Sequence, residues 1–255
     1  MLTLQAPMNF PTSQHVRRVM RRTLGPAAIA LLSLALLPGA AVAQRTTLTI
    51  GDAASAIDGG PLAASPLDGS VALGQTFRPT CLSCFSESFS FWLDGTFATN
   101  SSALNFQAHL AEWDGSKATN VLYSSSVFSG PTGPAQQYTF WTNYAALNSG
   151  TQYIAFLTVA GVTQVPSSGA TAFFQVVAGS PAAYTDGYFV FTNSGSSLGD
   201  LTTTAWDYPG DPAFPELQSR FEATFVANVV PEPSSFVLLA GGAALLLAFR
   251  KRTRV

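Results

Sequence analysis

The chain has 255 residues and a formal charge of −2. Of its 12 Lys and Arg, all but Arg45, Arg78, Lys117 and Arg220 lie before residue 23 or after residue 249, so these four face 13 Asp and Glu between 44 and 229, a net charge near −9. Nucleic acid and anionic surfaces are poor partners for so acidic a body, and its roughly 185 residues suffice for one domain with a sizeable core.

At the start of the chain, Arg17, Arg18, Arg21 and Arg22 precede an apolar stretch from Ala27 to Leu37, which Pro38 and Gly39 then break. Ala41-Val42-Ala43 follows as a small-x-small site. This order of charge, apolar run and small residues is a secretory signal peptide over residues 1–43, with cleavage after Ala43 and Gln44 as the new N-terminus. Met20 is an alternative start. The Arg21-Arg22 pair fits a twin-arginine signal only loosely, and the ordinary secretory route is preferred. The secretion machinery and a signal peptidase are the first expected partners.

Residues 44–228 form the expected exported domain, and period-2 alternation runs through it. Phe89, Phe91 and Leu93 alternate with Ser88, Ser90 and Trp92 in Ser86–Leu93. In Leu104–Leu110, Leu104, Phe106, Ala108 and Leu110 face one way and Asn105, Gln107 and His109 the other. Phe221, Ala223 and Phe225 alternate with Glu222, Thr224 and Val226. Such patterns predict half-buried antiparallel strands. Further strands are expected over Thr46–Ile50, Val71–Phe77, Val121–Phe128, Gln137–Tyr144, Tyr153–Val159, Ala172–Val177 and Tyr188–Thr192. Asp-Gly pairs beginning at 58, 68, 94, 114 and 186 supply turn chemistry, and no stretch of the body carries a helical stripe. The expected fold is all-β, an antiparallel two-sheet sandwich of the jelly-roll kind.

The chain ends on Val230-Pro231-Glu232-Pro233, an uncharged apolar run from Phe236 to Phe249, and the cations Arg250, Lys251, Arg252 and Arg254. The prolines hold the motif extended, and Ser234 or Ser235 can cap a following helix. Fourteen residues at about 1.5 Å each reach only roughly 21 Å, short of a hydrocarbon core of about 30 Å. The closing cations and Gly241-Gly242 nevertheless favour a membrane helix over 234–249, with the basic tail 250–255 as a cytoplasmic stop. In its three parts and their order, this 229–255 segment resembles the PEP-CTERM sorting signal of exported Gram-negative proteins. The resemblance implies processing at the motif by an exosortase of the inner membrane. It further implies transient residence in that membrane, then a place at the cell surface or in the extracellular matrix. Between about residues 70 and 160, Gly74-Gln75-Thr76-Phe77, Glu112-Trp113-Asp114-Gly115 and Gly150-Thr151-Gln152-Tyr153 are similar to the bacterial β-sandwiches often found ahead of such tails. That likeness is loosely one to carbohydrate-binding jelly rolls.

Chemistry is far less legible. Cys81 and Cys84 have no βαβ context for a redox motif and too few companions for zinc, so a local disulfide is the preferred reading over free thiols. His109, three residues before Glu112, would make an acid–base dyad, although a surface histidine on a half-exposed sheet is the plainer reading. No Gly-x-Ser-x-Gly elbow appears in the body. Glu87, Glu112 and Asp114 are carboxylates that a glycoside hydrolase would have to bring together. Asp200, Asp207 and Asp211 lie in a Gly/Pro-rich stretch suited to a structural calcium. Trp206, Asp207 and Tyr208, with Asp211, form the candidate ligand loop, where an exposed indole would stack on a sugar. These residues frame three expectations: a non-catalytic surface or matrix protein associated with exopolysaccharide, a carbohydrate-binding module, and a secreted glycoside hydrolase.

Overall fold

The computed structural model describes residues 43–63, 65, 68–96, 103–164, 170–177, 184–207, 217–227 and 242. The signal peptide except Ala43, the motif 230–233, the apolar run except Gly242 and the basic tail therefore lie outside the described residues, as do Tyr208 and Asp211. Residues 43–228 make up one compact unit.

Alternating side chains dictate the architecture. In chain order the strands are β1 (Arg45–Ile50), β2 (Ala56–Ala63), β3 (Ala72–Phe77), β4 (Ser83–Asp94), β5 (Asn105–Trp113), β6 (Ala118–Ser124), β7 (Phe128–Ser129), β8 (Gln136–Asn148), β9 (Tyr153–Thr158), β10 (Thr171–Val177), β11 (Phe189–Thr192), β12 (Gln218–Ser219) and β13 (Phe221–Ala227). They form two sheets with antiparallel ladders. The first sheet is built around β4. One edge of β4 pairs with β13, from Phe91↔Phe221 to Cys84↔Ala227, and the other with β8, from Ser83↔Asn148 to Leu93↔Gln136. β1 extends β13 outward, and β10 joins the far end of β4 and carries β2 and β12. The second sheet runs β11-β3-β9-β5-β6, with β7 added beside β5.

Rings from both sheets meet between them. Phe77 of the second sheet lies 5.6 Å from Phe221 and 5.8 Å from Phe225 of the first, and Phe106 lies 6.4 Å from Phe140. Each fully buried phenylalanine of this kind contributes roughly 1.5–3 kcal/mol. Phe89, Phe91 and Leu93 of β4 face the interior as expected, whereas Ser88 and Ser90 between them are buried too rather than lying on a half-exposed face.

Four departures from the sequence expectation have local causes. β2 includes Asp58-Gly59-Gly60-Pro61, which reads as a turn. It survives as a strand because it lies at a sheet edge, where proline is tolerated, and a bulge between Phe174 and Gln175 absorbs the irregularity. The strand expected over 121–128 divides into β6 and β7. Ser125 Oγ accepts the Ala108 N–H at 2.9 Å, a position that the backbone of a continuing strand would need. β8 outruns its expected end through a bulge in which Asn143 and Tyr144 adopt left-handed φ of 52° and 58°. Finally, a helix α1 (Leu198–Thr203) occupies what reads as loop, started by a capping box in which Ser197 and Asp200 satisfy each other's backbone.

Every residue of β3 and β9 is buried, so the second sheet is covered on both faces. α1 and the segment after it provide the outer cover, with Leu201 fully buried and Trp206 against Phe156 at 5.1 Å. Gly74 permits the close packing underneath, since a Cβ there would stand 2.7 Å from the Phe156 Cβ.

Candidate functional site

The two ends of the exported domain meet. Ala227, the last residue of β13, donates its N–H to the carbonyl of Gln44 at 2.9 Å, one residue after the expected cleavage point. The β1–β13 ladder continues that pairing from Arg45↔Val226 onward. Gln44 and Ala227, the first and last of the paired residues, thus lie side by side at one place in the first sheet.

Cys81 and Cys84 are joined in a disulfide, as expected. It closes a tight loop at the start of β4, and Leu82 at its tip is 89% exposed. The three carboxylates are not brought together. Glu87 belongs to the first sheet, where it is buried, ion-paired to Arg45 and approached by the Tyr144 hydroxyl at 3.4 Å. Glu112 belongs to the second sheet, and Asp114 caps its own turn by accepting the N–H groups of Ser116 and Lys117. Those bonds, that of Ser116 foremost, hold the Asp114 carboxyl below the usual range.

The candidate ligand loop departs from expectation. Trp206 is not an exposed platform. It is 7% exposed, donates its indole N–H to the Leu201 carbonyl at 2.8 Å, and packs edge-on against Trp113 at 6.1 Å. Asp207 is exposed, while its backbone exchanges two hydrogen bonds with Phe191. Asp200 is committed to its cap, accepting from the Ser196 and Ser197 N–H groups, and these bonds, led by Ser196, lower its pKa. Among the described residues no three His, Cys, Asp or Glu side chains assemble as a metal site.

His109 also differs. It lies on the outward side of β5, yet that side is roofed, and the ring is 2% exposed and stacked on Phe156 at 5.0 Å. Its Nδ1 meets Ser124 Oγ at 2.8 Å, and Nε2 has no partner. Burial pushes its pKa down to about 4, with a hydrogen bond to the Tyr123 backbone pulling the other way. Such an imidazole is neutral at ordinary pH, and it makes no bond to Glu112.

The outer face of the first sheet was the feature that alternation alone did not single out. Across β8, β4 and β13 it presents one row of Trp141, Ser88 and Thr224 and another of Thr139, Ser90 and Glu222. Trp141 is 63% exposed. Ser90 and Thr139 share a hydrogen bond of 2.8 Å, and further along the Arg220 guanidinium lies 4.2 Å from the Trp92 ring centroid. The period-2 pattern of Gln137–Tyr144 could have marked Trp141 as outward, but not the bulge beside it.

Residues 229–252 match the family model described as the PEP-CTERM protein-sorting motif. The chain carries a PEP-CTERM sorting signal. PEP-CTERM chains are exported and sorted to the cell envelope or surface by exosortase, a membrane enzyme, so export and exosortase processing follow for this one. Among the described residues no helix is long and apolar enough to cross a membrane. No curated protein matches the chain. Among solved structures it is similar to the cysteine protease and lectin-like domains of Cwp84, a surface-layer-associated protein of Clostridium difficile, at 11% identity and a TM-score of 0.44. That alignment covers 72% of this chain and 36% of the other, so the chain spans about a third of that structure. A structure of infectious bursal disease virus, Gx strain, aligns at 12% identity over 82% of this chain and 49% of that one, with a TM-score of 0.28.

Proposed function

We propose that this PEP-CTERM protein is a non-catalytic component of the cell surface or of the exopolysaccharide matrix of a Gram-negative bacterium. The secretion machinery and signal peptidase deliver it, the tail holds it transiently in the inner membrane, and exosortase then processes it. The observation that carries this reading is the sorting motif at 229–252, directly behind an acidic two-sheet domain. Separation of Glu87, Glu112 and Asp114 between two sheets and a turn weighs against the glycoside-hydrolase alternative. Mass spectrometry of the protein from cells with and without exosortase tests it. The expected product begins at Gln44 and has lost the basic tail only when the enzyme is present. Recovery of the intact 255-residue chain from the cytoplasm would overturn it.

A second reading, a carbohydrate-binding module, is favoured by the exposed Trp141 ring, with the exposed Thr139 two residues before it on the same face. An exposed indole face with a neutral hydroxyl beside it suits stacking against a sugar ring. Polysaccharide pull-down with the full chain and its Trp141→Ala variant separates the readings. Binding lost in the variant establishes the module, and no binding by either chain leaves the matrix role without direct sugar contact.

A further inference from the structure

The end of the domain from which the sorting tail departs is unlike the opposite end. Beside the Gln44–Ala227 junction, Cys84 pairs with Ala227, and two residues before it Leu82 stands 89% exposed at the tip of a covalently closed loop. The exposed Arg78 is bonded to this end through Gly150, with Nη1 donating to that carbonyl at 3.4 Å, in the turn that follows the Ser83↔Asn148 pair. Arg45 lies at the same end and neutralises Glu87, Asp186 accompanies them where its carbonyl accepts from Gln152, and Glu112, paired with Tyr153, brings the Asp114–Lys117 turn to this end as well. At the other end of β4, roughly 37 Å away for a 12-residue strand, Asp94 lies near Asp58. There Asp52 interacts with Arg220.

We propose that this tail-bearing end is a lipid-facing surface, on which Leu82 enters the headgroup layer of the membrane while the protein is still anchored. The inference rests on the reading of 234–249 as a membrane-inserted segment. From Ala227 to Phe236 the chain has nine residues, which span at most about 30 Å. That tether keeps the Leu82 end beside the bilayer at an effective concentration in the mM range. A single leucine gains too little from burial to hold a free protein on a membrane, but under such a tether the same gain sets orientation. Charge acts in the same sense. A body near −9 is repelled by an anionic leaflet, and the Asp52, Asp58 and Asp94 end is repelled most. Removal of the tail by processing ends the effective concentration, so the contact lapses and the domain is released.

The full chain, reconstituted in phosphatidylethanolamine–phosphatidylglycerol vesicles with a headgroup-proximal diazirine lipid, tests this by photocrosslinking and peptide mapping. Crosslinks are expected at residues 78–85 and 236–249, and not at 50–60 or 92–96. Leu82→Asp should lower those at 78–85 roughly tenfold and leave those at 236–249 unchanged, whereas Leu82→Met should retain both. Tail crosslinks without any at 78–85, equal labelling of both ends of the domain, or indifference to Leu82→Asp would each overturn the lipid-facing surface. Absence of crosslinks at 236–249 would instead defeat the anchored reading, and this inference with it.

Discussion

His109 shows how one roofed strand reverses a residue's chemistry. Alternation sends it outward, where it would titrate near 6.5, but α1 and Trp206 close over that face and leave Nε2 dry. Its folded pKa of about 4 is depressed, so stability present above pH 6.5 is lost as pH falls toward 4, because the unfolded chain takes up the proton first. At about 1.4 kcal/mol per pH unit, the loss is on the order of 3 kcal/mol. We expect His109→Leu to match the parent near pH 7 within about 1 kcal/mol and to resist acid better by that margin. Urea denaturation of both proteins at pH 7 and pH 4 measures the difference, and parallel pH dependence would show that the imidazole is not the cause. Trp206 teaches the same lesson in the opposite sense. Its polar neighbours Asp207 and Tyr208 pointed to an exposed stacking ring, yet the indole is core.

At the scale of elements, most of the body's strands were legible because each needs only a period of two. β2 and α1 were not, since their signals are turn residues whose meaning depends on a partner. Asp58-Gly59-Gly60-Pro61 becomes strand only against β10, and the capping box of α1 works only where Leu201 has a sheet to bury against. The Cys81–Cys84 bridge was legible from the exported context, and its worth follows from its size. A loop this short removes little chain entropy, so replacing both cysteines by alanine should cost about 2 kcal/mol or less and preserve the fold. Thermal denaturation under reducing and non-reducing conditions checks this, and collapse of the fold would mean that the bridge organises β4 itself.

For the whole molecule, the decisive fact is that the domain's ends are hydrogen-bonded neighbours. A circular permutant that joins Ala227 to Gln44 through a short Gly/Ser linker and opens the chain between Thr132 and Gly133 should fold, since neither change breaks a ladder. Deletion of residues 44–50 instead strips β1 from β13 and removes the buried Ile50 from the core beside Phe221, and should abolish cooperative unfolding. Circular dichroism melts of the two variants distinguish these outcomes. The sequence alone determined the route and the class of this protein. Signal peptide, Pro-Glu-Pro motif, apolar run and cations are read in linear order, and alternating apolar residues act locally to specify strands. Only the tertiary structure decided which carboxylates meet, that Trp206 and His109 are buried, that Trp141 is exposed, and that Gln44 and Ala227 share one end with Leu82. Those are matters of what packs over each face and which strands become neighbours, and they depend on contacts between residues far apart in the chain.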